Sequence, residues 1–319
     1  MELNFKTIPG LLTTFDAHFS VGYQSLVSEK VWDKVAMLVA NSTSSGTYPW
    51  MDKIPALAEW KGPRTASNVE ARYQIITNRR YQASIELDRT LIEDDQFGVF
   101  GPMFQGFGQA AAKWPDIQIA SAMIHGTDST FGLCYDGANF FSASHPIDPT
   151  NSASANQSNL YTSTALTPAN FSKVRAAMRK LVGADGQPLG VRPTKLIVPP
   201  SLESMADQIM KSDLTAPQYL TDGTNVQVGG QTNIYKGKCE VVVYDELATG
   251  GDTTDAWYLV DDTKPVKPLV WQLRKAPEII PRFNPADPSV YERDKLELGV
   301  YARGAPGYLF WQCMTKCTP

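Results

Sequence analysis

The three histidines are the first residues to test for chemistry: His18, His125 and His145. None forms an HxxxH or HxH pair, so the sequence gives no local seed for a zinc site. His145, with Asp136 and Asp148 nearby in the chain, has the residue types of an acid–base or metal cluster. We interpret His145 instead as a turn residue whose ring bonds the backbone, because His-Pro in a polar loop usually serves a turn.

The remaining chemical motifs have simpler structural interpretations. Four glycines at positions 98, 101, 106 and 108 lie in a helical pattern and lack the Lys-Ser/Thr of a phosphate-binding loop. Ser201 follows two prolines outside any GxSxG pattern, so we predict that it caps a helix. The acidic run 93–95 fits the electrostatics of a helix N-terminus better than a cation site. We therefore predict no catalytic residues, no metal and no cofactor.

The cysteines indicate neither a disulfide framework nor a metal site. They are few and scattered, at Cys134, Cys239, Cys313 and Cys317. The last two, four residues apart, lack a second pair of ligands, and we predict that they are buried as small hydrophobic residues or are exposed thiols of the tail.

Composition narrows the class of protein. The chain has 319 residues, of which 43% are hydrophobic, as in a soluble globular protein. Its net charge is −4 and its pI is about 5.5, with no basic stripe, which argues against intimate nucleic-acid binding. A wall that only encloses nucleic acid would need no such stripe. No window approaches ~18 consecutive apolar residues and no signal peptide is evident, so we expect a cytosolic protein where it is made.

The chain is organised around a predicted long helix from Glu93 to Thr127. Steps of three and four residues separate its large apolar residues, which marks one buried stripe. That stripe comprises Phe97, Phe100, Phe104, Phe107, Ala111 and Trp114, and continues through Ile117, Ala120 and Ile124. We predict that residues 93–95 start the helix and that Pro115 kinks or breaks it. Near-continuous, this spine would span roughly 45 Å.

Before the spine we predict an arm and a two-stranded ribbon. The arm has a short amphipathic helix near Leu11–Phe19 and a second helix over Glu29–Val39. The ribbon is a hairpin in which 69–75 and 81–87 alternate apolar and polar residues on either side of Thr77-Asn78. A lone ribbon is marginal in water, so its apolar face must lie on another surface. The pattern leaves open whether that surface is a neighbouring subunit or the chain's own core.

After the spine we predict loops and then an α/β region. Residues 128–167 are mostly loop, and the polar segment 151–165 is predicted to be mobile or solvent-facing. Thr167-Pro168 should open a helix that ends at Gly183, and a buried strand at 195–198 should precede a helix to Lys211. Further strands are predicted at 239–244, 256–260, 269–272, 298–301 and 308–314, with a turn at 304–307.

Several stretches, read together, resemble the major head (capsid) subunit of Mu-like tailed phages and prophages. They keep that family's order over about residues 36–212. They are Asn41-Ser-Thr with Thr47-Tyr-Pro-Trp50, Leu57-Ala-Glu-Trp60 with Lys61-Gly62 and Arg64-Thr65, Ile92-Glu-Asp-Asp95 with Gly98, Phe104 and Gly108, Cys134-Tyr-Asp-Gly137 with Asn139-Phe-Phe141 and His145-Pro146, and Leu196-Ile-Val-Pro-Pro200.

The resemblance implies an α+β chain with the HK97-like major capsid fold. Its parts would be an N-terminal arm at 1–47, an extended loop hairpin (E-loop) at 48–92, a peripheral domain with the spine helix at 93–190 and 288–319, and an axial α/β domain at 191–287. In this family the extended loop reaches over the neighbouring subunit, which favours an intersubunit role for the ribbon.

The function implied is a structural, non-enzymatic subunit that self-assembles into pentamers and hexamers of an icosahedral phage head around packaged DNA. The expected partners are copies of itself, a scaffold, a maturation protease and a portal, with DNA enclosed without specific binding and no membrane. The expected location is the virion head, after assembly in the host bacterial cytoplasm. Aromatic and arginine residues usually anchor interfaces, so the candidate contacts on the extended loop are Trp50, Trp60, Arg64, Tyr73 and Tyr81.

Two alternatives follow from the same sequence. The shells of encapsulin-like nanocompartments share this fold by family resemblance, and a cargo enzyme in place of DNA would distinguish them. A soluble metal-dependent hydrolase using His145 and Asp136 would instead be a monomer or dimer that retains metal.

Overall fold

The computed structural model of the chain describes residues 8–27, 29–51, 71–94, 98–151, 153–215, 231–249, 255–284 and 287–319. Its helices in these ranges are α1 Ile8–Val27, α2 Arg89–Glu93, α3 Phe100–Ile124, α4 Pro168–Arg179, α5 Glu203–Lys211, α6 Glu246–Thr249 and α7 Pro288–Arg293. Its strands there are β1 Ala36–Ala40, β2 Ser45–Met51, β3 Ala71–Thr77, β4 Arg79–Asp88, β5 His145–Pro146, β6 Asn156–Gln157, β7 Leu160–Tyr161, β8 Lys195–Val198, β9 Leu214–Thr215, β10 Gln231–Thr232, β11 Glu240–Val243, β12 Trp257–Val260, β13 Leu269–Arg282, β14 Lys295–Tyr308 and β15 Met314–Cys317.

The spine helix α3 has 25 residues and continues through Pro115, so it does not break there, and the alternative of a kink stays a prediction. Proline removes one backbone hydrogen bond of the helix, but packing on both sides of it holds the turns in place. Trp114 packs edge-on against Trp271, with ring centroids 4.7 Å apart. Asp116 accepts hydrogen bonds from two backbone N–H groups that precede β1.

The predicted start of the spine is also wrong. Glu93 ends the short helix α2, whose cap is Asp88, and α3 begins only at Phe100 without a side-chain cap. The predicted stripe is correct at Phe104, which is fully buried, but Ile117 is exposed. Beyond the proline, Ala120 is buried as predicted and Ile124 packs against the main core, while Ile119 and Met123 complete the buried face.

Helix α1 packs closely against α3 where both helices carry glycine. Phe15 stacks on Phe104 with ring centroids 3.9 Å apart. A Cβ at Gly108 would lie 2.2 Å from the carbonyl oxygen of Phe19, and one at Gly22 would lie 2.0 Å from that of Gln105. The missing side chains therefore set the distance between the two helices.

The second predicted arm helix is wrong. A single 3₁₀ turn, Trp32–Lys34, leads into β1, which pairs in parallel with β13. The fully buried Val35 and Ala36 join the main core cluster. The helical spacing at 31–38 is thus overridden by sheet pairing and burial.

The four-stranded sheet has the order β1-β13-β14-β4. The long strands β13 and β14 pair antiparallel, and β4 pairs with β14 along its whole length. The predicted hairpin between 69–75 and 81–87 is therefore wrong: β3 pairs with β2 instead. Alternating polarity identified both strands, but β4 pairs with residues more than 200 positions away and β3 pairs with the strand that precedes it.

The predicted turn at 304–307 is wrong as well, since these residues lie inside β14. Their small side chains make room for neighbours. A Cβ at Gly307 would meet Ile76 at 2.1 Å, and one at Gly304 would meet the Gln272 carbonyl oxygen at 2.7 Å. The final strand is β15, which starts at Met314, six residues later than predicted.

A five-stranded sheet, order β11-β8-β12-β15-β7, carries the α/β region. Thr167 caps α4 as predicted, and α5 ends at Lys211 as predicted. Ser201 caps no helix; its hydroxyl donates to Asp255 at 2.6 Å. The polar segment 151–165 is not wholly solvent-facing, because Asn159 is fully buried and β7 pairs with β15.

Both sheets bind the C-terminal half of the spine helix. Tyr308 of β14 donates to the Ala122 carbonyl at 2.9 Å, and Lys316 of β15 donates to the Ile124 carbonyl at 2.9 Å. The last carbonyls of a helix lack partners within the helix, and a cation there also suits the helix dipole. These side chains therefore complete the end of α3.

The α1–α3 contact yields a matched pair of variants. Gly108→Ala should lower the free energy of unfolding by about 1–3 kcal/mol, because its Cβ would overlap the α1 backbone. Gly106→Ala on the same helix meets nothing within 4 Å. It should stabilise the chain by about 0.5–1 kcal/mol through helix propensity. Chemical denaturation of the unassembled subunit measures both, and an equal effect of the two would contradict the close helix contact.

Candidate intersubunit interface

Strands β2 and β3 form a ribbon with one covered and one open face. Ile76 on the covered face is buried under β14, and Tyr48 lies beside it. Tyr73 and Ile75 on the open face are 61% and 64% exposed. A tyrosine and an isoleucine two residues apart on one strand share a face, so the ribbon presents a pair of exposed apolar side chains on its open face.

The five predicted contact residues fall in four different situations. Tyr73 lies on the open ribbon face. Trp50 lies in β2, of which only the backbone is described at that position, paired with Arg72. Trp60 and Arg64 lie outside the described residues.

Tyr81 belongs to a different surface. Its ring lies 5.0 Å from that of Trp114, and its hydroxyl donates to Gln118 at 2.8 Å. Leu87 on the same strand is buried. The two strands that the sequence joined in one ribbon therefore have different partners: β4 lies on the chain's own core, and β3 keeps its apolar face open.

A buried glutamine that the sequence gave no reason to single out anchors the base of the ribbon. Gln272 of β13 is fully buried. Its Oε1 accepts from the Tyr48 hydroxyl at 2.7 Å, and its Nε2 donates to Asn78 Oδ1 at 2.8 Å and to the Ile76 carbonyl at 3.2 Å. One side chain thus binds both strands of the ribbon and the residue that follows it. Gly46 gives it room, since a Cβ there would lie 2.1 Å from Oε1.

Replacing this anchor should loosen the ribbon selectively. Gln272→Leu removes the amide that binds the Tyr48 hydroxyl and the Ile76 carbonyl. The free energy of unfolding should fall by about 1–3 kcal/mol. Hydrogen exchange should become faster in β2 and β3 and stay unchanged in β8 and β12. Tyr48→Phe, which removes one bond only, serves as the milder control. Unchanged protection in β2 and β3 would show that Gln272 does not anchor them.

The proposed catalytic pair His145–Asp136 is a buried structural element. His145 Nδ1 lies 2.6 Å from Asp136 Oδ2, and both side chains are fully enclosed. The ring stacks on Trp311 with centroids 4.0 Å apart. Both ring nitrogens of His145 contact side chains, so the prediction that the ring bonds the backbone of a turn is wrong. The reason is that the loop folds inward over the core.

The hydrogen bond at the other ring nitrogen follows from the orientation of its neighbour Asn159. The Asn159 amide donates to the Phe140 and Met314 carbonyls, so its Oδ1 is an acceptor. His145 Nε2, 3.2 Å from that oxygen, must therefore donate to it. The other nitrogen, Nδ1, contacts the Asp136 carboxylate. The ring therefore joins the loop segments that contain Asp136, His145 and Asn159.

The other residues tested for chemistry form no reactive cluster. Asp148 binds its own turn through Thr150 and Ser154. All four cysteines are buried and free, and burial raises the pKa of the Cys239 thiol to about 11. Within the described part of the chain, no group of three or more His, Cys, Asp or Glu residues is placed to hold a metal ion.

Asp116 is the titratable group whose environment matters most for the spine. It is 7% exposed and accepts from the backbone N–H groups of Trp32 at 2.7 Å and Val31 at 3.0 Å. Burial raises its pKa to about 6, the charges of Glu246 and Asp33 act in the same direction, and the two N–H bonds oppose the shift. The carboxyl thus joins the start of β1 to the middle of α3.

The raised pKa predicts a specific pH dependence. A carboxyl whose pKa is higher in the folded than in the unfolded state contributes stability below the unfolded value, near 4, and loses it as pH rises through about 6. Asp116→Asn keeps the acceptor oxygen and cannot ionise. The free energy of unfolding of this variant, relative to that of the unmodified chain, should rise by about 1–2 kcal/mol from pH 4.5 to pH 7.5. Urea denaturation at the two pH values measures this, and a pH-independent difference would contradict it.

An apolar cavity of about 440 Å³ lies beside Trp311. Its charged lining residues include Lys264, which donates to the Leu189 carbonyl at 2.9 Å. His145 and Asp136 do not line it.

Among the described helices, none has the length and apolar character to span a bilayer.

Structural comparison places the chain among phage capsids. It is similar to the procapsid of bacteriophage JBD30, with TM-score 0.55 and 26% identity over 99% of this chain and 76% of that one. It is also similar to a chain of Microbacterium phage Oxtober96, with TM-score 0.55 and 11% identity over 91% of this chain and 90% of that one, a likeness of fold alone. The molecule is therefore an α+β capsid subunit with the HK97-like fold, as predicted.

The sequence comparison is more specific. Residues 8–167, 160–247 and 247–318 match the family described as Mu-like prophage major head subunit gpT, and the chain belongs to that family. It is 29% identical to the major capsid protein of Escherichia phage Mu over 306 residues, 96% of this chain and 72% of that protein. It is 26% identical to the Mu-like prophage FluMu major head subunit of Haemophilus influenzae, over 96% of this chain and 71% of that one.

The predicted family and fold are thus confirmed. The chain is a structural subunit of the phage head, and its place is the virion. The comparisons do not favour the nanocompartment or hydrolase alternatives.

Proposed function

We propose that copies of this chain assemble into pentamers and hexamers that close an icosahedral head around packaged DNA, with the β2–β3 ribbon of each copy clamping a neighbour. The observation that carries the proposal is the ribbon itself. Tyr73 and Ile75 lie exposed in the single chain, while Gln272 fixes the opposite side of the same ribbon. An apolar surface held out on an anchored support is suited to bind another subunit.

The other contact candidates depend on the same geometry. Trp50 lies in β2 of the ribbon, and Trp60 and Arg64, outside the described residues, stay contact candidates through the family relationship. Tyr81 would contribute indirectly, because its ring and hydroxyl are engaged with α3. The scaffold, maturation protease and portal, and assembly in the host cytoplasm, are part of the proposal through the family relationship.

Sheet membership supports a modified division into regions. Strand β13 shares a sheet with β14 and β4, which favours placing it with the peripheral domain rather than with 191–287. Strand β15 shares a sheet with β8 and β12, which favours placing it with the axial domain. The arm and extended loop would keep their proposed order, with the extended loop starting at β2.

Shortening the ribbon tests the clamp. Met51 and Ala71 are paired in register, so residues 52–70 can be replaced by Asn-Gly, a two-residue hairpin turn. The subunit should fold with unchanged secondary structure but form no closed shells, as seen by sedimentation and electron microscopy. Shells of normal size from this variant would rule out the clamp.

A gentler variant separates the open face from the loop. Tyr73→Ser with Ile75→Ser changes only exposed side chains, so the stability of the unassembled subunit should stay within about 0.5 kcal/mol. Shell yield should nevertheless fall strongly, because the apolar contact is lost. A fall in subunit stability that matches the loss of shells would point to folding instead.

A further inference from the structure

The face of the four-stranded sheet turned away from α3 carries a row of cations. Arg303 of β14 is paired in register with Arg80 of β4 on one side and with Lys275 of β13 on the other. Side chains at paired positions share a face, with Cβ atoms about 4.5–5.5 Å apart, and like charges placed so are destabilising.

Elsewhere on this face, charges are neutralised within the chain. Glu86 forms an ion pair with Lys295, and Glu297 lies 3.4 Å from both Arg282 and Arg293. The face is therefore balanced at the end that lies near α7.

The cation row is different. Lys275 has Glu278 as its partner and lies over the Tyr301 ring, 5.5 Å from its centroid. The side chains of Arg80 and Arg303 form no hydrogen bond or ion pair with the described residues, and Arg303 Nε is buried without a partner. A β-bulge beside them adds Arg274, whose Nη1 is also buried without a partner. Two facing guanidinium groups are thus left to be neutralised from outside.

We propose that Arg80 and Arg303 form a docking site for carboxylates of a neighbouring copy of this chain. The proposal rests on the proposed shell assembly and identifies one of its contacts. A guanidinium fork binds a carboxylate through two parallel hydrogen bonds, and a pair of forks suits two such groups. Arg80 follows the ribbon by three residues, so the site lies beside the element proposed to clamp a neighbour.

Charge decides between a protein partner and nucleic acid. The chain has 33 acidic against 29 basic residues, so every neighbouring copy offers an excess of carboxylates. Two unpaired arginines would release counterions from only about two phosphates, whereas proteins that grip DNA through its backbone make roughly 6–10 such contacts. A neighbouring subunit is therefore the better fit.

The test uses the double variant Arg80→Gln with Arg303→Gln and a control on the same face. Removing two facing like charges should leave the thermal midpoint of the unassembled subunit unchanged or raise it. The fraction of chain in DNA-free shells should nevertheless fall about tenfold, the effect of losing charge-assisted hydrogen bonds at an interface. Arg282→Gln removes a guanidinium that is already paired with Glu297, so it should leave the shell yield unchanged.

A chemical probe identifies the partner group. In shells of the Arg303→Lys variant, a carbodiimide should join the new amine to a carboxylate of another copy, and mass spectrometry should find a peptide pair linked through position 303 that unmodified shells lack. Normal yield of DNA-free shells from the double variant would overturn the docking site, as would normal shells that only lose retained DNA. A lowered thermal midpoint together with lost shells would assign the arginines to folding and overturn it too.

The control with unmodified chain separates the two proposals. If unmodified subunits form no shells, the proposed function fails and the docking site with it. If they form shells and the double variant forms them equally well, the docking site alone is wrong.

Discussion

The attachment of one helix to two sheets is the constraint on which the rest of the structure depends. The spine helix ends where Tyr308 and Lys316 donate to its last carbonyls, and these residues come from different sheets. A buried helix end without such partners would be costly, because unpaired carbonyls lose their hydrogen bonds to water. The hydrogen bonds that complete the helix therefore fix the position of both sheets. The contact of Trp114 with Trp271 also holds the four-stranded sheet against the helix.

That rigid frame explains how a single chain can hold a ribbon with an exposed apolar face. An isolated two-stranded ribbon is only marginally stable, so its shape has to come from its base. Gln272 anchors that base through its hydrogen bonds, and it belongs to the sheet that the spine helix positions. The base of the ribbon is thus fixed within the single chain, which reduces the entropy that association has to overcome.

The buried polar groups show how residue types associated with enzymes serve a structural subunit. His145, Asp136 and Asn159 pair with one another and with backbone in a site closed by Trp311, so they join loop segments and expose no reactive atom. Asp116 likewise accepts its hydrogen bonds from backbone N–H groups that precede β1. Buried polar groups satisfied in this way give a loop-rich region one defined arrangement.

The sequence by itself determined the family, the fold class and most element types, because ordered short motifs and local periodicity survive in the chain. It placed the start of α4, the end of α5, strand β8 and the apolar stripe at Phe104 correctly, since caps, prolines and spacing are local signals. Only the tertiary structure decided which strands pair, that α3 passes Pro115, that His145 is buried, and that Arg80 faces Arg303. Each of these depends on contacts between residues far apart in sequence, and such contacts override local preference once burial and hydrogen bonding are satisfied together.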